Sequence, residues 1–199
     1  MTRDGSKSGA VEAKELLERM HSGTNNVRPD EVTYGTVLHS LAQAGMADEA
    51  ERLLEFLEDA FNQSSGDDDC VTPSLTVYNT VLNALANSYE PHAPLHADSL
   101  LDRMKALSST GKNTNVEPDA ISISSVILAH ARSKTRWGAE RGEELLNRAI
   151  DDFVNEGNAR VKPDTIMLNC ALMGKNHACS AHNRCSKRRF LSLVSFLND

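Results

Sequence analysis

The stretch Val27-Arg28-Pro29-Asp30-Glu31-Val32-Thr33-Tyr34-Gly35-Thr36-Val37-Leu38 opens with a turn signal and continues into a helical pattern. Its first four residues recur as Val-Thr-Pro-Ser at 71–74, Val-Glu-Pro-Asp at 116–119 and Val-Lys-Pro-Asp at 161–164. The prolines stand at 29, 73, 118 and 163, giving periods of 44, 45 and 45 residues. A fixed period of this size marks a stacked repeat array rather than a single closed core. Such arrays present a long concave surface to an extended partner.

Each period contains two apolar stripes. After the proline, residues spaced 0, 3, 4 and 7 are apolar: Tyr34, Val37, Leu38 and Leu41, then Tyr78, Val81, Leu82 and Leu85. A second set follows in each unit: Ala50, Leu53, Leu54, Leu57; Ala97, Leu100, Leu101, Met104; and Gly142, Leu145, Leu146, Ala149. Ala13, Leu16, Leu17 and Met20 form a copy of the second set alone. This spacing lines one face of a helix. The unit is therefore a pair of amphipathic helices, A and B, in an antiparallel hairpin. The fold class is all-α: an α-solenoid of stacked antiparallel helix hairpins.

Turn chemistry agrees. Asp30, Ser74, Asp119 and Asp164 follow the prolines as N-cap residues for helix A. Ala44-Gly45 closes the first hairpin tightly, while Asn87–His96 and Ser133–Gly138 make longer turns. The polar segments Asn62–Cys70, Ser108–Asn115 and Asn155–Arg160 read as solvated loops along one edge of the array. The organisation expected is a partial repeat at 1–30, repeats at 31–74, 75–119 and 120–164, the start of another at 165–174, and a divergent basic tail at 175–199. The chain reads as a piece of a longer array, beginning with a helix B and ending in an unfinished helix A.

Composition sets further bounds. The chain has 199 residues, 40% hydrophobic and 5% aromatic content, and a formal net charge of −7. That suffices for a modest Leu, Val and Ala core. No apolar run approaches membrane-spanning length, so no membrane partner is expected. Met1 to Ala10 read as neither a secretory signal nor a transit peptide. Acidic residues crowd helix B and the loops, whereas helix A carries few, which makes the helix A face neutral rather than strongly basic.

Catalytic constellations are missing: there is no Gly-rich phosphate loop and no His-Glu-x-x-His. The cluster Cys170, His177, Cys179, His182 and Cys185 matches no familiar zinc spacing. His92 and His96 have ligand spacing, but Pro91 and Pro94 place them in a loop. Asp67-Asp68-Asp69 reads as a solvated loop. No metal, cofactor, catalytic residue or small-molecule substrate is expected, and four cysteines without a framework fit a reducing compartment.

Pro29 to Leu38 and Pro73-Ser74-Leu75-Thr76-Val77-Tyr78-Asn79-Thr80-Val81-Leu82 resemble helix A of pentatricopeptide repeat proteins. Ala47-Asp48-Glu49-Ala50-Glu51-Arg52-Leu53-Leu54 is similar to helix B of that family. The third unit departs by placing Ile123 where the tyrosine would stand. The period also exceeds the family's usual unit of about 35 residues, with the excess in the turns. The resemblance covers roughly residues 10–173.

It implies a right-handed superhelix that binds single-stranded RNA, one nucleotide per repeat. The implied base readers are the residue after the tyrosine and the residue after the proline closing the repeat. These are Gly35 with Ser74, Asn79 with Asp119, and Ser124 with Asp164; Asn169 opens an unfinished fourth. Gly35 has no side chain to offer, so the first pair reads little. Val32, Thr76, Ile121 and Ile166 match the residues that sandwich each base. The resemblance further implies an organellar transcript as partner, in mitochondrion or plastid, with a role in RNA processing, stability or translation. Two plainer readings stand beside it. The aspartates could serve as caps alone, with Asn79 and Ser124 solvated, and the concave face could hold protein partners as tetratricopeptide-type scaffolds do.

Overall fold

The computed structural model describes residues 3–21, 28–63 and 71–181, and side chains from residue 6 to 177 within them. Asp67–Asp69, His182 and Cys185 lie outside the described residues. Eight α-helices follow in order among the described residues: α1 (Arg3–His21), α2 (Glu31–Ala44), α3 (Ala47–Gln63), α4 (Leu75–Ser88), α5 (Ala93–Ser109), α6 (Ala120–Arg132), α7 (Arg136–Asn155) and α8 (Thr165–Ala181). The fold is an all-α solenoid.

The stripes account for the packing. Tyr34, Val37, Leu38 and Leu41 on α2 and their counterparts on α4 are buried, as are Ala97, Leu100, Leu101 and Met104 on α5. Leu145, Leu146 and Ala149 on α7 are buried too. The helices A (α2, α4, α6, α8) pack in a row, each against the next. The helices B sit outside it: α3 packs on α2 and α4, α5 on α4 and α6, α7 on α6 and α8. A row whose members touch, backed by helices wedged between them, curves toward the touching side. The A row therefore lines the concave face.

Successive helices B are tied by ion pairs. Lys14 meets Glu49 at 2.5 Å, Arg103 meets Glu58 at 3.2 Å, and Arg141 meets Asp98 at 3.2 Å. Partly exposed pairs of this kind contribute little each, on the order of 0–1 kcal/mol. The buried stripes hold the array together.

Turn chemistry fixes the hairpins. Gly45 adopts φ 71°, and Met46 N–H donates to the Leu41 carbonyl, which stops α2 at once. Asp30, Asp119 and Asp164 accept from Thr33, Ser122 and Met167 backbone N–H groups at 2.8, 2.9 and 2.7 Å. Ser74 takes the cap position of α4 without a side-chain bond.

Several expectations change. Pro94 sits in the first turn of α5, where its missing N–H costs nothing, so His96 is helical and pairs with Glu51 at 2.6 Å. The segment Ser108–Asn115 is not simply a solvated loop. Asn113 is buried, donates to the Pro73 carbonyl at 2.8 Å and accepts from Asn115 N–H, pinning the turn to the preceding repeat. Helix α8 runs through residue 174 to Ala181. Gly174 lets it lie close to Ala131, and Lys175, on the stripe, reaches Glu143 at 2.6 Å.

The stripe of α6 ends on His130 rather than leucine. His130 is fully buried, with Nε2 2.9 Å from Asp98 and its ring edge-on to Trp137. Burial pushes the Asp98 carboxyl up, but the bonds from His130 and Arg141 outweigh it and hold the group below its ordinary range.

Candidate nucleic-acid interface

The first turn of each helix A faces the concave side, and its composition follows a fixed register. The second helical residue is Val32, Thr76, Ile121 or Ile166, and all four are exposed, the three apolar ones by 73%, 62% and 64%. Scattered exposed apolar residues are ordinary. The same register in three of four helices makes a row of apolar studs. Helix α4 contains no charged residue, and α2 and α6 contain only Glu31 and Arg132. Arg132 is engaged, donating to the Ala86 carbonyl at 2.7 Å and to Asn87.

Three residues after each stud comes the position next to the tyrosine. In the second full repeat it is Asn79, half-buried. Its Nδ2 donates to Asp119 Oδ1, at the end of the same repeat, at 3.2 Å. Its Oδ1 accepts from the Ser122 hydroxyl at 2.6 Å. Asp119 also caps α6, accepting from Ser122 N–H, and its own N–H donates to Ser122 Oγ at 3.2 Å. Thr76, Asn79, Asn83, Asp119, Ile121 and Ser125 line a groove of about 630 Å³ here. That is within the roughly 300–1,000 Å³ of small-ligand sites. Thr76 and Ile121, expected to sandwich a base, thus line the same groove as Asn79 and Asp119, the pair expected to read it.

The other repeats differ. Ser124 is only 6% exposed and its hydroxyl has no partner, while Asp164 spends one carboxylate oxygen on the cap of α8. At the register of Ser122, α8 has Met167, which is fully buried and has no hydroxyl to offer. Next to Gly35 the space is open, and Ser74 Oγ is buried without a partner. Asn169 is exposed on α8. The four positions share a register, but among the described residues only Asn79 is held by the following helix A. Ser122 is the residue that sequence reasoning missed. Its signal was Asp-x-x-Ser, a capping-box spacing at 119–122.

Of the cysteine and histidine cluster, the side chains of Cys170 and His177 are described. Burial pushes the Cys170 thiol up, which disfavours the thiolate a metal needs, and His177 Nδ1 donates to the Ala131 carbonyl at 3.2 Å. Among the described residues no three His, Cys, Asp or Glu side chains are placed to hold an ion. The side chains of Cys179, His182 and Cys185 are outside them.

The family model of the PPR repeat matches residues 25–58, which takes in the turn, all of α2 and most of α3. Residues 25–58 are thus similar to a PPR repeat. No curated protein matches it. RNA binding in organelles is the general role of pentatricopeptide repeat proteins, and among the described residues no helix is long and apolar enough to cross a membrane.

Proposed function

We propose that this chain is a pentatricopeptide repeat protein that binds single-stranded RNA selectively along the helix A row, as a non-enzymatic factor acting on an organellar transcript in mitochondrion or plastid. One observation carries the reading: Asn79 and Asp119 meet in a groove that Thr76 and Ile121 also line. Apolar studs cover the faces of a base, and the amide and carboxylate meet its edge. Asn79 with Asp119 favours uridine. Ser124 with Asp164 is the pair that the resemblance assigns to guanine. The sandwich role falls to Val32, Thr76, Ile121 and Ile166. Transcript processing, stability or translation is the step such binding serves.

The near-neutral face favours a second reading, a protein-binding scaffold, since phosphate contacts normally rest on Lys and Arg. One experiment separates the two. The chain is titrated with a fluorescent single-stranded RNA, a matching duplex and an amphipathic helical peptide, then compared with the triple variant Val32→Asp, Ile121→Asp, Ile166→Asp. These side chains are exposed, so the variant keeps its helical signal. Saturable single-strand binding that the variant loses supports RNA. Peptide binding alone supports the scaffold.

A further inference from the structure

Ser122 lies in the first turn of α6, fully buried, and touches Asn79 of the preceding repeat. Its hydroxyl has one proton. Asp119 N–H already donates to the oxygen, so that proton must go to Asn79 Oδ1 at 2.6 Å or to Asp119 Oδ1 at 2.9 Å. Asp119 Oδ1 already accepts from Ser122 N–H at 2.9 Å and from Asn79 Nδ2 at 3.2 Å. The shorter contact, to a carbonyl oxygen with fewer donors, takes the proton.

Both ends of the Asn79 amide are then assigned. Flipping it would set its oxygen against the Asp119 carboxylate, placing two acceptors together. The amide is therefore locked, with one N–H left over and the second oxygen of Asp119 nearby. A base edge meets a donor beside an acceptor. Uracil complements that edge with a carbonyl next to its ring N–H. Held in the same orientation, cytosine offers an amino group where uracil has the carbonyl and an unprotonated ring nitrogen where uracil has the N–H.

The geometry points to Ser122 as a positioning residue of the second full repeat: its hydroxyl locks the Asn79 amide so that the site distinguishes uracil from cytosine, making the readout a matter of three side chains. This rests on the RNA-binding reading above. The helices themselves supply the comparison residues. At the same register α2 carries Thr33, whose hydroxyl meets Asp30 at 2.6 Å, and α4 carries Val77, which has none. Threonine and valine share a shape, so the pair Ser122→Thr and Ser122→Val differs in the hydroxyl alone.

The test uses the full chain with ten-nucleotide oligouridine and oligocytidine, measured by fluorescence anisotropy, for wild type, Ser122→Ala, Ser122→Thr, Ser122→Val and Asn79→Ala. The side-chain amide resonances of Asn79 are followed by NMR without RNA. Expected are a wild-type preference for oligouridine, kept by Ser122→Thr and lowered about fivefold or more by Ser122→Ala and Ser122→Val, as loss of one hydrogen bond's discrimination. The Asn79 amide signals shift and broaden in the same two variants. If Ser122→Val keeps the ratio of Ser122→Thr while Asn79→Ala loses it, the inference is overturned and RNA reading stands. If wild type binds neither oligonucleotide, both fall together.

Discussion

Asp119 serves two repeats at once: its Oδ1 caps α6 through Ser122 N–H at 2.9 Å and holds the Asn79 amide of α4 at 3.2 Å. Capping and base reading are therefore not rival roles for this carboxylate. One oxygen does the capping and the orienting, which leaves the other to face the groove.

Replacing Asp119 should consequently affect two readouts. Asp119→Ala is expected to lower stability by about 1 kcal/mol, the usual cost of a lost N-cap. Asp119→Asn keeps an acceptor for Ser122 N–H and should restore most of that stability. Thermal melts of both variants check this. A melting point unchanged by Asp119→Ala would mean that the cap contributes nothing.

Leu100 lies at the centre of the middle outer helix and is fully buried. Leu100→Ala should cost on the order of 2–4 kcal/mol. The exposed Leu95, on the same helix, offers the control. Leu95→Ala should change stability by no more than about 0.5 kcal/mol. Urea titrations of the two variants decide whether the stripe is the source of cohesion.

Glu58 accepts from Tyr78 Oη at 2.7 Å in a part-buried site beside Arg103. Burial raises its carboxyl above the ordinary value, more than the Tyr78 bond and Arg103 lower it. A carboxyl with a raised folded-state value binds its proton more tightly when folded. Its favourable contribution is complete below the unfolded value and is lost as pH rises through the folded one. Glu58→Gln keeps an acceptor for Tyr78 and removes the buried charge. The variant should melt higher than wild type at pH 7, and the gap should close as pH falls below the unfolded carboxyl value of 4.5. A gap that widens toward acid would contradict this sign.

Much of the architecture was legible because burial follows simple spacing. Tyr34 to Leu41 and Tyr78 to Leu85 announce their helices, and Gly45 announces its turn. Side chains that satisfy polarity through tertiary partners were harder to read. His130 interrupts a leucine position, yet Asp98 makes it a core residue. Lys175 looks like the end of a stripe, yet Glu143 lies within reach. Asn113 looks like loop filler until the Pro73 carbonyl appears beneath it. The candidate site divides the same way. The register of Asn79, Ser124 and Asn169 is written in the repeat. That the Asn79 amide meets a hydroxyl follows from Ser122 of the next helix, where α8 has the buried Met167 instead.

The central claim is that the second full repeat reads a base through Asn79 and Asp119. The most direct measurement grafts this repeat, with the first turn of α6 that follows it, into a stable designed array, and determines affinities for four RNAs differing only at the facing nucleotide. Uridine should bind best, and Asn79→Ala should flatten that preference while leaving selectivity at other nucleotides intact. Equal binding of all four RNAs by the unmutated graft would contradict the account.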